Sequence, residues 1–194
     1  MNNLLKELIN PEYLKSETVR NIKSAFLSNQ INHIQLLNFL QKDKFQQLQK
    51  EMLKLNYSLD YHPDLHSYFT AAAPESFLSL LELKEFQDLM SQFTGTKISN
   101  FNCEASYFGN RNYTLLSDKQ LIKEGIAFFL DFNSFKKEFG SSTVLVKNKD
   151  NLIQYPSPNS ILLAKQSKHQ RSFIKYVNHL AKDQKRFILK GVLM

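Results

Sequence analysis

The sequence predicts an α+β fold in which N-terminal helices pack on one sheet of a double-stranded β-helix, or jelly-roll, core. Apolar residues recur at helical spacing in several stretches before Gly95, and after Gly95 the period changes to two. The chain also holds Phe 16 and Tyr 8 but Trp 0. Flat and β-branched side chains fill the space over a pleated surface, so this composition favours sheet.

The elements follow in order. Over residues 11–29, Leu14, Val19, Ile22, Ala25 and Phe26 form one helical stripe. Asn10 is placed to cap it, Pro11 suits its first turn, and Glu12 lies near the positive end of its dipole. His33 to Leu40 reads as a buried strand. Asp43 is the expected cap of a second helix over 43–55, with Phe45, Leu48, Met52 and Leu55 on its apolar stripe. Residues 57–70 mix polar and apolar positions and read as strand or extended loop. Pro74-Glu75 opens another helical region that runs to Phe93, and Gly95 stops it. Beyond Gly95, short runs around Phe101–Tyr107, Ile126–Leu130, Val144–Val146, Ile153–Tyr155, Ile161–Ala164, Phe173–Val177 and Phe187–Leu189 predict seven or eight strands. Helices followed by closely spaced strands indicate a double-sheet core.

At 194 residues the chain has the length of one well-buried domain. It carries no repeat or linker, so 1–194 is expected to form a single unit, with a mixed helix-and-strand opening over 1–95 and the jelly-roll core over 96–194. No apolar run approaches the roughly 20 residues of a membrane-spanning helix. Met1 to Glu7 lacks the pattern of a secretory signal. Cys103 is the single cysteine, which excludes an internal disulfide. A cytoplasmic location and no membrane partner are the expectation.

The formal net charge is +7. Lys165, Lys168, Arg171, Lys175, Lys182, Lys185, Arg186 and Lys190 supply much of the excess, opposed locally only by Asp183. Such a group attracts polyanions by its field, or simply solubilises strands and turns. Phosphate loops and serine nucleophile elbows find no match. Cys103 has no neighbouring histidine in sequence and reads as a packed thiol. His62, Asp64 and His66 alternate, so they would share one face if extended, a spacing suited to a metal. The same residues serve equally as ordinary loop side chains.

Several strings in a shared order resemble the prolyl-hydroxylase-like 2-oxoglutarate/Fe(II) oxygenases, over about Asn32 to Gly191. They are the strand Ile34–Phe39 with the following helix, Asp64-Leu65-His66-Ser67-Tyr68-Phe69, Phe93-Thr94-Gly95 and Ser106-Tyr107 with Gly109-Asn110. Tyr113 to Lys119, Gly140, Tyr155-Pro156-Ser157-Pro158-Asn159 and Arg186 to Gly191 complete the set. The resemblance implies a jelly roll whose Fe(II) is held by two histidines and a carboxylate, with 2-oxoglutarate as co-substrate. It places Ser117 and Lys119 at the first two ligand positions, where the family has His-x-Asp, and Ile174 at the distal histidine. A rival register makes His169-Gln170 the family's His-Gln pair. Asp118 with His169 is the substitute ligand pair, though Asp118 should face away from Ser117 and Lys119. Arg186 matches the arginine that grips the distal carboxylate of 2-oxoglutarate, with Tyr107 and Tyr113 as further candidates for lining that pocket.

A hydroxyl, an amine and a hydrocarbon at the three ligand positions imply a catalytically inactive homologue that needs no cofactor. Its expected partner is a protein or peptide, or a small dicarboxylate. The alternative is an active prolyl-type hydroxylase with displaced ligands, using Fe(II) and 2-oxoglutarate. A basic nucleic-acid-binding module is the third reading, although no platform of aromatic and basic residues is visible.

Overall fold

Gly95 is where helices give way to strands in the computed structural model of the chain, which describes residues 3–115 and 124–194. Before it lie α1 (Asn3–Leu8), a 3-10 turn (Pro11–Leu14), α2 (Ser16–Ser28), α3 (Lys42–Lys54), α4 (Glu75–Glu82) and α5 (Lys84–Thr94). Three strands are interleaved with them: β1 (His33–Leu36), β2 (Ser58–His62) and β3 (His66–Ala72). Gly95 closes α5 in the left-handed region at φ 68°, and its N–H donates to the Ser91 carbonyl at 2.8 Å. Only a residue without Cβ adopts that conformation freely.

The later strands are β4 (Phe101–Phe108), β5 (Tyr113–Thr114), β6 (Gly125–Asp131), β7 (Thr143–Lys147), β8 (Asp150–Gln154), β9 (Ser160–Gln166), β10 (Gln170–Ile174) and β11 (Arg186–Leu193). They form two antiparallel sheets. The large one runs β1-β9-β6-β11-β4-β3-β2, with β5 paired to β3, and the small one runs β10-β7-β8. The fold is thus α+β with a jelly-roll core. The opening segment is not a separate layer of helices, because β1 pairs with β9 and β3 with β4.

Two apolar clusters explain why the central strands read as continuous hydrophobic runs. Ile126, Phe128 and Leu130 of β6 join Leu163 of β9 and Leu189 of β11 in a cluster shared with Met52, Phe77, Phe86 and Phe93 of the helices. The alternate residues Ala127, Phe129, Leu162 and Ile188 face Leu145 and Ile174 of the small sheet. A strand buried on both faces has no polar side to show. Burying one such Phe or Leu contributes roughly 1.5–3 kcal/mol.

Local details differ from the sequence reading at four places. The strand expected over His33–Leu40 ends at Leu36 and is half-buried before it. Asn10 does cap a turn, accepting from the Glu12 N–H at 3.0 Å, but that turn is the 3-10 segment and α2 begins only at Ser16. Asp43 sits inside the first turn of α3 and the cap is Gln41. The strand expected over Phe173–Val177 ends at Ile174, where the Lys175 N–H turns to the Ser142 carbonyl at 3.0 Å.

Candidate functional site

Alternation along β11 turns Arg186, Ile188, Lys190 and Val192 to the face opposite the helices, toward the small sheet. Two of these four are cations, Arg186 buried and Lys190 partly exposed, and each has a carboxylate. Arg186 is 1% exposed and Asp131, at the end of β6, is 3% exposed. Nε of Arg186 donates to Oδ1 of Asp131 at 2.7 Å and Nη2 to Oδ2 at 3.2 Å, a bidentate fork. Nη2 also donates to Oγ1 of Thr143 at 3.0 Å, and Nη1 to the Ser141 carbonyl. Burial pushes the Asp131 carboxyl up from its ordinary range, and the guanidinium pulls against that push.

Lys190 lies farther along the same face. Its Nζ is 3.0 Å from Oε1 of Glu104 on β4 and 3.6 Å from the centre of the Tyr68 ring on β3. Oε1 of Glu104 also accepts from the Tyr68 hydroxyl at 3.2 Å and from Oγ of Ser106 at 3.3 Å. Three neighbours therefore hold one oxygen in place. Burial lowers the Lys190 pKa from the ordinary lysine value, with the Glu104 charge acting in the opposite direction. Lys190, Tyr68, Glu104, Thr114, Ser172 and Ile174 all line a cavity of about 340 Å³ between the sheets.

Ile174 reaches this cavity from β10. It is 1% exposed, and its N–H donates to Oγ1 of Thr114 at 2.7 Å, which ties β10 to β5. Its side chain offers hydrocarbon only. Ser117, Asp118 and Lys119 lie outside the described residues. His169 is an exposed turn residue between β9 and β10 whose N–H bonds Oγ of Ser167 at 3.3 Å, so the structure does not bring it into the barrel.

The remaining candidate residues take the following places. Tyr107 lies on the helix-covered face of β4, stacked on Phe69 at 4.5 Å with Tyr57 edge-on at 5.0 Å. Because Glu104, Ser106 and Phe108 point inward, Tyr107 must point outward and does not line the cavity. Tyr113 misses it as well: its hydroxyl reaches the Pro63 carbonyl at 3.5 Å and its ring lies 6.3 Å from Tyr176. Arg186 does face inward, and it donates to Asp131, Thr143 and Ser141. His62 and His66 form a cross-strand pair in the β2–β3 hairpin, with ring centres 6.2 Å apart. The Asp64 N–H donates to Nδ1 of His62 at 3.3 Å, while Nε2 of His66 faces Oδ1 of Asp60 at 3.0 Å. The Asp64 carboxylate is exposed at the turn. Among the described residues no three His, Cys, Asp or Glu side chains come together as a metal site.

Asp131, Glu104, Tyr68 and Lys190 are the residues that the sequence reading missed as site members. The available signal was a charge in an apolar strand: Asp131 ends the run from Gly125 to Leu130, and Lys190 interrupts β11.

Comparisons with known proteins agree with this architecture. No protein-family model matches the sequence, and no curated protein matches it. Among solved structures, a prolyl hydroxylase from Trichoplax adhaerens, in complex with a hypoxia inducible factor peptide fragment, is similar at TM-score 0.71 and 12% identity. The match covers 95% of this chain and 93% of that one. A Pseudomonas putida prolyl-4-hydroxylase is similar at TM-score 0.67 and 11% identity, over 90% and 97% of the two chains. A 2-oxoglutarate/Fe(II) oxygenase family protein from Burkholderia pseudomallei gives TM-score 0.67 at 9% identity, over 92% and 91%. The chain has the fold of the prolyl-hydroxylase-like 2-oxoglutarate oxygenases.

Proposed function

We propose that this chain is a catalytically inactive relative of the 2-oxoglutarate oxygenases that acts by binding, with a polypeptide as its partner. The observation that carries the reading is the Asp131–Arg186 pair. In the enzymes that the chain resembles, an arginine on the last core strand grips the distal carboxylate of the co-substrate. Here the matching arginine is already forked onto a carboxylate of its own chain, in a buried place with two further acceptors around it.

The residues present do not fit Fe(II) either. Ile174, at the position of the distal histidine, has no lone pair to give, and the sequence puts a hydroxyl and an ammonium at the other two positions. The polypeptide partner is supported by the Trichoplax adhaerens structure, where the same fold is in complex with a peptide fragment.

The test is turnover. The protein is loaded with Fe(II) under anaerobic conditions, given 2-oxoglutarate and then oxygen, and succinate is measured. The expected outcome is no succinate above a protein-free control. Multiple turnovers per chain would replace this reading with that of a hydroxylase using displaced ligands.

A further inference from the structure

Outside the barrel the fold brings three basic stretches side by side. The Val177 N–H donates to the Asn112 carbonyl at 2.9 Å and the Arg111 N–H to the Val177 carbonyl at 2.8 Å, which lays residues 111–113 along residues 175–177. On the other side Gly140 pairs with Val177, and the Asn178 N–H donates to the Phe139 carbonyl at 3.0 Å. A Cβ at Gly140 would meet the Tyr176 carbonyl oxygen at 2.1 Å, so this approach needs glycine. Val177 and Phe139 turn into the core. Arg111, Lys136, Lys137, Lys175, Lys182 and Lys185 are exposed on these stretches and the turn that follows them, and Glu138 and Asp183 are the exposed carboxylates among them. Cations thus outnumber anions six to two. Tyrosines stand in the same surface. Tyr176 is 52% exposed, and its ring lies 6.3 Å from that of Tyr113 with 34° between the planes. The Tyr113 hydroxyl reaches the Pro63 carbonyl at 3.5 Å, so the inner ring is held and backs the outer one. Tyr155, 37% exposed, carries the Lys137 ammonium 4.6 Å from its ring centre.

We infer that this surface binds single-stranded RNA, with Tyr176 stacking on a base and Arg111 and Lys175 meeting neighbouring phosphates. The excess of positive charge selects a polyanion, and each phosphate met by a cation releases a condensed counterion. The exposed ring selects a polyanion whose bases are unpaired, because every base has a flat face but in a duplex those faces are covered by the adjoining pairs. Loops and ends with unstacked bases are the usual form in which RNA is read by proteins. An acidic polypeptide matches the charge and brings no flat face to Tyr176. Arg111 with Tyr113 and Lys175 with Tyr176 are far apart in the sequence, so the platform exists only where backbone pairing joins them. It is separate from the cavity between the sheets, and it is indifferent to whether the barrel holds iron.

The test titrates full-length protein into a fluorescently labelled oligouridine of about 12 nucleotides, read by anisotropy over a range of salt concentrations. An RNA duplex of the same length and a labelled polyglutamate are the controls. The expected result is saturable binding of the single strand, about fivefold or more tighter than either control. Tyr176→Ser should weaken the single strand by about fivefold or more and leave polyglutamate unchanged, while Tyr176→Phe keeps the affinity. Lys175→Gln and Arg111→Asn should each reduce the slope of log affinity against log salt by about 0.7. Asn suits position 111 because the backbone there is left-handed, at φ 70°. Lys54→Gln, an exposed change on α3, should leave both affinity and slope as they are. All the altered side chains point to solvent, and an unchanged Tm confirms that each variant is folded. No binding of oligouridine at low salt overturns the inference. So does an affinity that Tyr176→Ser leaves intact, which would reduce the surface to a diffuse positive field. Polyglutamate binding as tightly as the single strand overturns it in favour of an acidic polypeptide.

Discussion

Asp131 and Arg186 show what a buried ion pair does to a neighbourhood. Their mutual attraction offsets the loss of two hydration shells only while both are present. Asp131→Ala is therefore expected to cost about 3–5 kcal/mol in urea unfolding, because it strands a guanidinium inside the fold. Replacing both partners by Asp131→Leu and Arg186→Met should cost far less than the single change. Equal costs would mean that the pair is not the closed unit described. Lys190 gives a prediction in pH. Its burial lowers the folded-state pKa from the ordinary 10.5. Between the folded-state value and 10.5 the unfolded chain holds more protons than the folded one, so the Lys190 contribution to stability rises with pH in that window. Urea unfolding of the unaltered protein and of Lys190→Met across pH 8–11 would contradict the account if the difference between them stayed constant.

Elements are where the sequence was most readable and where its limit lies. The period change at Gly95, the α5 stop and the strands from β4 to β11 other than the two-residue β5 could be read because helix and strand repeats differ physically. Which face each strand residue takes could not be read. β6 and β9 are buried on both sides, so apolar residues run without alternation and no parity is visible. Tyr107 on β4 was assigned to the pocket by the resemblance, whereas Glu104, Ser106 and Phe108 hold the inward positions. The β2–β3 hairpin escaped for a related reason: β2 is a sheet edge with Leu59 and Tyr61 exposed, so its pattern is mixed. Arg186 was read from the sequence without its partner: Asp131 is 55 residues away in the chain and only sheet pairing brings the two together. Gly191 tests the packing of β11 between β4 and β6. A Cβ there would meet the Asn102 carbonyl oxygen at 2.0 Å and Cε1 of Phe128 at 2.8 Å. The oxygen belongs to backbone and cannot swing aside, so Gly191→Ala should destabilise by about 1–3 kcal/mol and lower the Tm. A neutral effect would show that the β4–β11 contact is looser than these distances.

At the scale of the whole molecule, an oxygenase jelly roll persists at 9–12% identity to its structural neighbours, because total volume and patterning specify a core more than individual residues do. The basic C-terminal group is divided by the same fold. Arg186 and Lys190 turn inward to carboxylates, while Lys165, Lys168, Lys175, Lys182 and Lys185 remain exposed. The family's metal chemistry depends on donors converging at one point. On the proposed reading, Ile174 interrupts that convergence on β10, and Asp131 engages the arginine that would otherwise meet the co-substrate. The account's central claim is that this barrel has kept its shape and lost its iron. Metal content after anaerobic loading with excess Fe(II) and desalting tests it most directly. The account predicts far less than one iron per chain, with no change when 2-oxoglutarate is present. One tightly held iron per folded chain would contradict it.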